Sequence, residues 1–275
     1  MKKERNNQVN YHKKKRKNIG IITGASSGMG AETARQMTTY FPGIEELWLI
    51  ARREDRLLSL KKELEQEKNI TVKTIVLDVT DRGKRKGFEQ LIKEEQPKVS
   101  VLVNSAGYGI IGSFTQGNVQ EQTGMVDVNC EALVWMTYVV LPYIKKGGHI
   151  IHYASGSAFL PQPYFLVYAS TKAFVLHFSY GLRGELKKKH ISVTAICPGP
   201  VNTEFFNVAQ IHEAISPIKK LFLADETKVV KKALKDSKRR KAISTYGFAI
   251  KMLHGISHFI PKSWLAYHMN HFSKN

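Results

Sequence analysis

The feature that most constrains the fold is a regular alternation of short apolar segments with helical patterns. Six apolar runs predict strands: Ile19–Thr23, Leu47–Ala51, Val72–Leu77, Val99–Val103, His149–Ala154 and Ser192–Ile196. Helices are predicted from a glycine-rich turn to about Phe41 and over Arg53–Glu67, Asp81–Glu95, Val119–Ile144 and Tyr168–Lys188. Nearly continuous apolar strands separated by helices are typical of a parallel sheet that is buried on both faces. We therefore expect an α/β fold, a doubly wound parallel sheet of the Rossmann type in a single domain with a C-terminal helical extension.

Composition narrows the class of protein. The 275 residues are 43% hydrophobic and 24% charged, which is ordinary for a globular protein and excludes a disordered or fibrous one. We find no apolar run of the ~18 residues that a membrane span needs, and no apolar segment that would make the basic start a secretory signal. The two cysteines, Cys130 and Cys197, are far apart and have neither disulfide-framework nor zinc spacing. We expect a cytoplasmic protein.

The positive charge is concentrated at the two ends of the chain. The net charge is +19, of which residues 1–17 carry +7 and residues 219–275 carry +10. The remainder is nearly neutral, so we expect no nucleic-acid partner. We divide the chain into a basic N-terminal tail (1–17), a dinucleotide-binding and catalytic domain (18–245) with a substrate lid at about 202–223, and a C-terminal helical extension (246–275). A last short strand is predicted at Ile243–Tyr246.

A glycine-rich turn, TGASSGMG at Thr23–Gly30, follows the first strand and opens a helix. Gly24 permits a tight turn, Gly28 lets the backbone approach a pyrophosphate, and Gly30 allows close packing of the helix. The N-terminus of the helix offers free N–H groups and the positive end of its dipole to a phosphate. The alternative is a glycine-rich turn without a ligand, and the strand–turn–helix context favours nucleotide binding. The other candidate cofactor-binding residues of the turn are Ser26, Ser27 and Met29.

The end of the second strand bears on the choice of cofactor. A site for NAD has an acidic residue here for the ribose 2′-hydroxyl, whereas a site for NADP has a cation for the 2′-phosphate. This chain has Ala51 followed by Arg52 and Arg53, and a guanidinium binds phosphate well. The alternative is a pair of solvated arginines at the start of a helix. We expect NADP(H) to be favoured over NAD(H).

A tyrosine and a lysine four residues apart, Tyr168 and Lys172, share one face of a predicted helix. A cation close to a phenol lowers the pKa of the phenol, so that a tyrosine can give a proton to a carbonyl oxygen or take one from an alcohol. Ser155 lies just after the fifth strand, where its hydroxyl can bind the same oxygen. On its own such a Tyr-x-x-x-Lys pair is more often part of an ordinary helix surface.

Taken together, these motifs resemble the short-chain dehydrogenases/reductases over roughly residues 18–204. The turn matches that family's TGxxxGxG, and Ser155, Tyr168 and Lys172 match its catalytic serine and Tyr-x-x-x-Lys. Further matches are Asp78 and Val79, which contact the adenine in the family; Asn104, Ala106 and Gly107 of its NNAG motif, here with Ser105; Asn129; and Pro198, Gly199, Val201 and Thr203 of the segment that holds the carboxamide. The resemblance implies that these residues bind the cofactor or take part in catalysis.

For the mechanism, the resemblance implies that Tyr168 is the general acid/base and that Ser155 orients and polarises the substrate carbonyl. Lys172 would lower the pKa of Tyr168 and hold the nicotinamide ribose. Asn129 would anchor a water molecule that links Lys172 to solvent. Hydride would pass between the nicotinamide and the carbonyl carbon. The family also implies a homodimer or homotetramer.

The substrate is predicted less sharply. Phe205, Phe206, Val208, Ile211, Ile215, Leu221 and Phe222 are candidates for an apolar lid, with Tyr108, Phe159, Leu160 and Tyr164 facing it. Such a lid indicates a hydrophobic, steroid- or lipid-like carbonyl or secondary alcohol. One alternative is a 3-oxoacyl-acyl-carrier-protein reductase, because a basic surface attracts an acidic partner. An alternative of another class is a non-catalytic nucleotide-binding or scaffold protein, which is disfavoured because Tyr168 and Lys172 are both present.

The C-terminal extension contains two further patterns. His254, His258, His268 and His271 crowd it without a carboxylate, so we expect no metal site. Phe248–Ile260 has apolar residues at helical spacing, which predicts a helix that packs on the domain or on a partner subunit. Peripheral contact with an anionic membrane is the less favoured reading of this segment.

Overall fold

The computed structural model describes residues 16–205, 209, 223–257 and 259–272, with side chains as far as Tyr267. Its centre is one parallel sheet of seven strands in the order β3-β2-β1-β4-β5-β6-β7. The strands are β1 Asn18–Thr23, β2 Glu46–Ala51, β3 Thr71–Val76, β4 Lys98–Asn104, β5 Ile144–Tyr153, β6 Ser192–Cys197 and β7 Ile243–Thr245. This confirms the predicted doubly wound parallel sheet.

Nine α-helices are described. They are α1 Gly28–Tyr40, α2 Glu54–Lys68, α3 Arg82–Glu95, α4 Val119–Val126, α5 Ala132–Val140, α6 Leu166–Glu185, α7 Glu226–Lys238, α8 Phe248–Ile256 and α9 Lys262–Phe272. Short 3₁₀ turns cover Leu141–Tyr143, Gly156–Phe159 and Lys187–Lys189. Side-chain caps fix two of the helix starts: Asp81 accepts from the first turn of α3, and Asp225 accepts from Lys228 in α7.

Helices cover both faces of the sheet, as continuous apolar strands require. On one face, α1, α2 and α7 bury side chains such as Met37, Leu57 and Leu234. On the other face, α3 and α5 bury side chains such as Phe88 and Met136. Strands β2 and β6 each have all six residues buried. The sheet is therefore a rigid platform from which the loops at its carboxyl edge project.

The predicted helix Val119–Ile144 differs from the observed structure in one informative way. Between α4 and α5 the chain makes a π-helical turn at Asp127–Glu131. Such wider turns are frequent at functional sites, and this one contains Asn129. Strand β5 also starts five residues earlier than predicted, at Ile144.

The helical stretch Val119–Tyr143 is long and apolar enough to span a membrane by length and composition, which the sequence analysis did not anticipate. Its α5 part supplies Ala132, Met136 and Val140 to the core that packs on the sheet. This packing is that of a core helix in a globular domain.

Strand order reverses between β1 and β4, because the chain crosses from β3 back to the other side of β1. In open parallel sheets the loops diverge at this point and leave a crevice at the carboxyl ends of the strands. The glycine-rich turn follows β1, and the Ser105–Gly107 segment follows β4. The fold thus places both motifs at the same crevice.

Candidate active site

The glycine-rich turn has the backbone geometry that the sequence predicts. Gly24 has φ +68°, and a Cβ there would lie 2.7 Å from the backbone nitrogen of Ala106. A Cβ on Gly30 would lie 2.2 Å from the carbonyl oxygen of Gly24. Gly28 has φ +54°, and a Cβ there would lie in ordinary contact with Thr203, 3.7 Å from its Cβ. The turn is therefore packed tightly at Gly24 and Gly30 and less tightly at Gly28, where a pyrophosphate would approach the backbone.

Thr23 joins the two strand ends that flank the crevice. Its Oγ1 accepts hydrogen bonds from the backbone N–H groups of Ser105 and Ala106, each at 3.2 Å. Ser105 replaces the second asparagine of the family motif, and the turn nonetheless remains tied to β1 through these backbone bonds.

The N-terminus of α1 offers donors to an anion. Ser27, the N-cap residue, makes no side-chain capping bond, so its hydroxyl does not satisfy the N–H groups of the first turn. Its Oγ instead accepts a 2.6 Å hydrogen bond from Nη2 of Arg53. Nε and Nη2 of Arg53 also donate to Ser26 Oγ, at 3.2 and 3.1 Å. The guanidinium of Arg53 therefore lies directly on the glycine-rich turn.

Glu204 links this cation to the loop that follows β6. Its Oε2 lies 3.1 Å from Nη1 of Arg53, and its Oε1 lies 2.5 Å from Nη1 of Arg56. Hydrogen bonds from Arg56 and then from Arg53 lower the pKa of the Glu204 carboxyl. Because all three side chains are partly exposed, these ion pairs add little to the free energy of folding. Their role is to hold the Arg53 and Arg56 side chains in position.

The two adjacent arginines differ in their surroundings. The side chain of Arg52 is 76% exposed, and its nearest acidic oxygen is Asp78 Oδ2 at 3.8 Å. Asp78 is itself held by the amide and hydroxyl of Thr80, at 2.9 and 2.7 Å. Arg52 thus lies at the outer rim beside Asp78, whereas Arg53 reaches inward to the serine hydroxyls.

A cavity of about 570 Å³ joins these elements. Of the predicted cofactor residues, it is lined by Gly24, Ser26, Ser27, Gly28, Met29, Gly30, Arg52, Arg53, Asp78, Val79, Ala106, Gly107 and Thr203. Asn104 does not line it. Its side chain is buried, and its Nδ2 donates a 2.9 Å hydrogen bond to Thr137 in α5. The structure therefore gives Asn104 a place in the core beneath the site.

Beneath the cavity, Asn129 organises the backbone around the catalytic helix. Its Oδ1 accepts from the N–H of Tyr108 at 3.0 Å, and its Nδ2 donates to the carbonyl of Tyr108 at 2.9 Å. The same Nδ2 donates to Thr171 Oγ1 at 3.0 Å. Thr171 lies in α6 between Tyr168 and Lys172, so Asn129 fixes the register of both.

Lys172 is buried, and its Nζ donates a 2.8 Å hydrogen bond to the carbonyl oxygen of Tyr153 at the end of β5. A Cβ on Gly107 would lie 2.8 Å from Asn129 Oδ1 and 3.3 Å from Lys172 Nζ. Because Gly107 has no side chain, Asn129 Oδ1 and Lys172 Nζ can both lie close to its backbone. Burial lowers the pKa of Lys172 to about 8.

Tyr168 is buried between aromatic rings, stacked on Phe165 with ring centroids 4.3 Å apart and tilted against Phe205 at 5.3 Å. Burial raises the pKa of its phenol to about 12, and a hydrogen bond with the Ser155 side chain offsets only part of that rise. The sequence-based expectation that Lys172 brings this pKa down is therefore wrong for the chain alone. The ammonium lies 5.6 Å from the ring centroid, and burial outweighs its charge.

A second, more apolar cavity of about 730 Å³ adjoins the first. Ser155 and Tyr168 face it, together with Pro198, Gly199 and Val201 from the loop after β6. Met29, Thr203 and Phe205 line both cavities, so the two meet at these residues. Ser155 and Tyr168 therefore line the apolar chamber, and the ring of Tyr168 packs against Phe205, which lines both cavities.

The wall of the apolar cavity differs from the predicted one. Phe205 lines it as expected, but Phe159 is in the core and packs on His254, with ring centroids 4.6 Å apart. Most of the predicted lid lies outside the described residues, including Phe206, Val208, Ile211, Ile215, Leu221 and Phe222. The tail before Arg16 and His258 also lie outside them, and the side chains of His268 and His271 are not described. The opposite wall comes from Ile250 and Leu253 of α8.

Several residues of the site escaped the sequence analysis. Thr23, Thr171, Tyr153 and Glu204 act through hydrogen bonds or ion pairs to partners distant in sequence. A signal existed for Thr23 and Thr171, because they lie inside the TGASSGMG and Tyr-x-x-x-Lys motifs. The amphipathic pattern of Phe248–Ile260 predicted a packed helix, but not that the helix faces the substrate cavity.

The comparison with protein families decides the class of this protein. Residues 18–214 match the model of the short chain dehydrogenase family. This chain belongs to that family. It is therefore an oxidoreductase that acts on alcohol or carbonyl groups with a nicotinamide cofactor.

Individual relatives agree on the family and differ in detail. The chain is 36% identical over 191 residues to sulfoacetaldehyde reductase 2 of Chromohalobacter salexigens, covering 68% of this chain and 74% of the relative. A short-chain dehydrogenase from Sphingobium yanoikuyae in complex with NADPH is 28% identical, with a TM-score of 0.76 over 88% of this chain and 94% of that one. A Burkholderia phymatum member in complex with NAD has a TM-score of 0.75 over 88% and 93% at 19% identity, which shows the fold alone.

Proposed function

We propose that this protein is an NADP(H)-dependent reductase of hydrophobic ketones or aldehydes, or in reverse a dehydrogenase of the corresponding alcohols, with Tyr168 as the general acid/base. The observation that carries the proposal is the junction of the two cavities. A polar crevice with the residues that a dinucleotide needs meets an apolar chamber at Met29, Thr203 and Phe205, and Tyr168 and Ser155 line that chamber.

The residues of the crevice fit an NADP cofactor. The cavity that Gly28 lines and the uncapped start of α1 fit a pyrophosphate. Arg53 would bind the 2′-phosphate together with Ser26 and Ser27, whose hydroxyls it already contacts. Asp78 and Val79 would flank the adenine, and Thr203 would hold the carboxamide. The NADPH complex of the Sphingobium relative supports the same preference.

In the direction of reduction, the bound cofactor supplies the hydride to the carbonyl carbon. Tyr168 gives its proton to the carbonyl oxygen, and its pKa of about 12 keeps it protonated over the physiological range. Ser155, hydrogen-bonded to Tyr168, orients that oxygen. The Lys172 ammonium favours the phenolate that forms as the proton leaves, and Asn129 holds the backbone that positions both.

The apolar wall supports the choice of substrate. Most of the chamber is lined by apolar and aromatic side chains and glycine, among them Phe165, Ile250 and Leu253. The polar lining residues, apart from the tyrosines, are Ser155, Ser157, Gln162, Thr203, Asp225 and Lys228. Such a surface binds an apolar body better than a small anion. We therefore place the substrate among bulky apolar carbonyl compounds, unlike the sulfoacetaldehyde after which one relative is named.

The test is a carbonyl screen that follows NADPH or NADH oxidation. The panel contains cyclic and aryl ketones of increasing size, a small anionic aldehyde, and a 3-oxoacyl thioester on acyl carrier protein. We expect reduction of the bulky ketones with NADPH, and a loss of about 10² to 10⁴ in kcat for Tyr168→Phe. Preferred turnover of the anionic aldehyde or of the carrier-protein thioester would contradict the substrate assignment.

Binding of NADPH without turnover of any carbonyl or alcohol in the panel would favour a non-catalytic nucleotide-binding role. Assembly as a homodimer or homotetramer is a separate proposal that rests on the family. Light scattering on the purified protein tests it, and a monomeric mass would contradict it.

A further inference from the structure

Helix α8 has two apolar faces, and the structure accounts for one of them. Ile250 and Leu253 pack inward on the core and line the substrate cavity. On the other side, Phe248, Met252 and Ile256 are 81%, 51% and 43% exposed. Residues spaced by four lie along one stripe of a helix, so these three side chains form a continuous apolar row.

The exposed row continues beyond the end of α8. Phe259 is 88% exposed, and in α9 Trp264 and Tyr267 are 55% and 67% exposed. We call the surface formed by Phe248, Met252, Ile256 and Phe259 the α8 face. Large exposed aromatic and aliphatic groups gathered on one short segment are characteristic of an interaction site and not of an ordinary protein surface.

The segment that carries the α8 face has charge of one sign, and the two charged residues that line the cavity together with Phe248, Asp225 and Lys228, are of opposite sign. Residues 237–275 contain seven Lys or Arg residues and no Asp or Glu. Lys251 on α8 and Lys262 at the start of α9 are both exposed beside the face. A surface that combines apolar and aromatic side chains with lysines alone is complementary to the headgroups and acyl boundary of an anionic membrane.

The same charge argues against self-association through this face. A two-fold interface brings the same patch of both subunits together, so Lys251 and Lys262 would face their own copies without a carboxylate from this segment to balance them. An anionic membrane can bury the apolar row at its acyl boundary and attract the two lysines to its headgroups at the same time.

The α8 face is also continuous with the entrance to the active site. Phe248 is both highly exposed and part of the lining of the substrate cavity. Ile250, two residues on, packs over Gly156 and Gly199 inside it. A membrane in contact with the α8 face would therefore adjoin the mouth of the apolar chamber.

We propose that the α8 face docks this protein on anionic membranes and thereby presents the substrate cavity to carbonyl compounds dissolved in the lipid. The docking stands on the exposed row and its charge alone. The delivery of substrate rests, in addition, on the proposed function.

The docking is tested by sedimentation of the full-length protein with vesicles, in the absence of cofactor. Vesicles of phosphatidylcholine with one-quarter phosphatidylglycerol are compared with pure phosphatidylcholine. The variant Met252→Ser/Ile256→Ser/Phe259→Ser removes apolar area and leaves every charge in place. Phe114→Ser/Tyr138→Ser is the matched control, because these side chains are 57% and 78% exposed elsewhere on the surface.

We expect the wild type and the control to bind anionic vesicles, and the triple variant to bind at least about tenfold more weakly. The tail at 1–17 attracts anionic vesicles equally in all three proteins, so the difference isolates the α8 face. Tryptophan emission should shift to shorter wavelength on binding, and Trp264→Phe should abolish the shift. Of the other two tryptophans, Trp48 is 1% exposed in the core, and Trp135 packs on Phe88 and Arg85 and donates to Glu89, away from α8.

A second variant tests the docking independently, in case the triple variant does not fold. Lys251→Glu/Lys262→Glu keeps the apolar row, and we expect it also to lose about tenfold in binding to anionic vesicles, with an unchanged melting temperature. Equal binding of the triple variant and the wild type would overturn the proposal and assign the attraction to the charged tails. Absence of vesicle binding, or a dimer that the triple variant dissociates, would overturn it as well.

Activity assays separate this proposal from the proposed function. Met252, Ile256 and Phe259 do not line either cavity, so reduction of a water-soluble ketone should be the same in the triple variant and the wild type. Reduction of a ketone supplied in anionic vesicles should fall. Failure of all ketone reduction with intact vesicle binding would contradict the proposed function and leave the docking in place.

Discussion

The two cavities that meet at Met29, Thr203 and Phe205 are built in different ways. The cofactor crevice consists of strand ends and their first turns, where backbone geometry at Gly24 and Gly30 sets the shape. The substrate chamber is assembled from segments far apart in the chain, including α6, the loop after β6 and α8. The first can change little without loss of the fold, whereas the second can change its walls while the catalytic groups stay in place. This difference explains how one family keeps its chemistry and varies its substrates.

The largest effect is expected at the tight packing of the crevice. In Gly30→Ala the new methyl group would lie 2.2 Å from the Gly24 carbonyl oxygen, so the turn must shift. We expect a loss of about 1–3 kcal/mol in the free energy of unfolding, and a loss of cofactor binding. Gly181→Ala in α6 is the matched control, because nothing lies within 4 Å of its Cβ position. Thermal melts and NADPH titration measure both, and equal behaviour of the two variants would contradict a rigid crevice.

The next prediction concerns pH. Lys172 is charged below its pKa of about 8 and neutral above it. We expect the rate of NADPH-dependent reduction to fall as the pH rises through about 8, because the cation that favours the Tyr168 phenolate is lost. Lys172→Arg keeps a charge at all accessible pH values, so its profile should lack this decline even if its rate is lower. A wild-type profile that is flat from pH 7 to 10 would contradict the assignment.

Substitutions in the wall of the substrate chamber should change the kinetics of ketone reduction without changing cofactor binding. Leu253→Ala enlarges the wall that α8 contributes, and we expect kcat/KM for a bulky ketone to change by about tenfold while the Kd for NADPH stays within twofold. Met252→Ala, on the opposite side of the same helix, should change neither. Steady-state kinetics on the two variants test whether α8 is part of the site. Loss of cofactor binding in Leu253→Ala would show that the two cavities are not independent.

A smaller effect is expected where the two cavities share a loop. Glu204 binds both Arg53 and Arg56, so its carboxylate competes with a 2′-phosphate for the same cations. We expect Glu204→Gln to tighten NADPH binding a few-fold and to leave NADH binding unchanged. Fluorescence titration with each cofactor measures this. Weaker NADPH binding would mean that Glu204 holds Arg53 in position and does not compete.

The comparison also shows what the sequence can predict. The crevice was predictable because its signals are local: the TGASSGMG turn follows a strand directly, and Tyr168 and Lys172 are one helical turn apart. The seven strands follow from their apolar runs, and small errors at boundaries, such as the early start of β5, leave the fold unchanged. Their order in the sheet was not part of the prediction.

The remainder depends on tertiary contacts that local pattern does not contain. Nothing near Glu204 indicates that it reaches back to Arg53, and nothing in the apolar pattern of α8 tells the cavity face from the solvent face. The pKa of Tyr168 was misjudged for the same reason. The lysine is visible in the sequence, whereas the burial that raises the pKa is a property of the packed structure.

The central claim is that the crevice is built for NADP(H) and that Arg53, rather than its neighbour, recognises the 2′-phosphate. The most direct measurement is titration of NADPH and NADH into the wild type, Arg53→Ala and Arg52→Ala. We expect the wild type to bind NADPH more tightly, and Arg53→Ala to weaken NADPH by about 10- to 100-fold, the strength of a charge-assisted hydrogen bond, with NADH unchanged. Arg52→Ala should have a much smaller effect, since that side chain is 76% exposed and lies 3.8 Å from its nearest carboxylate oxygen. A wild type that prefers NADH, or a larger NADPH loss in Arg52→Ala than in Arg53→Ala, would contradict the account.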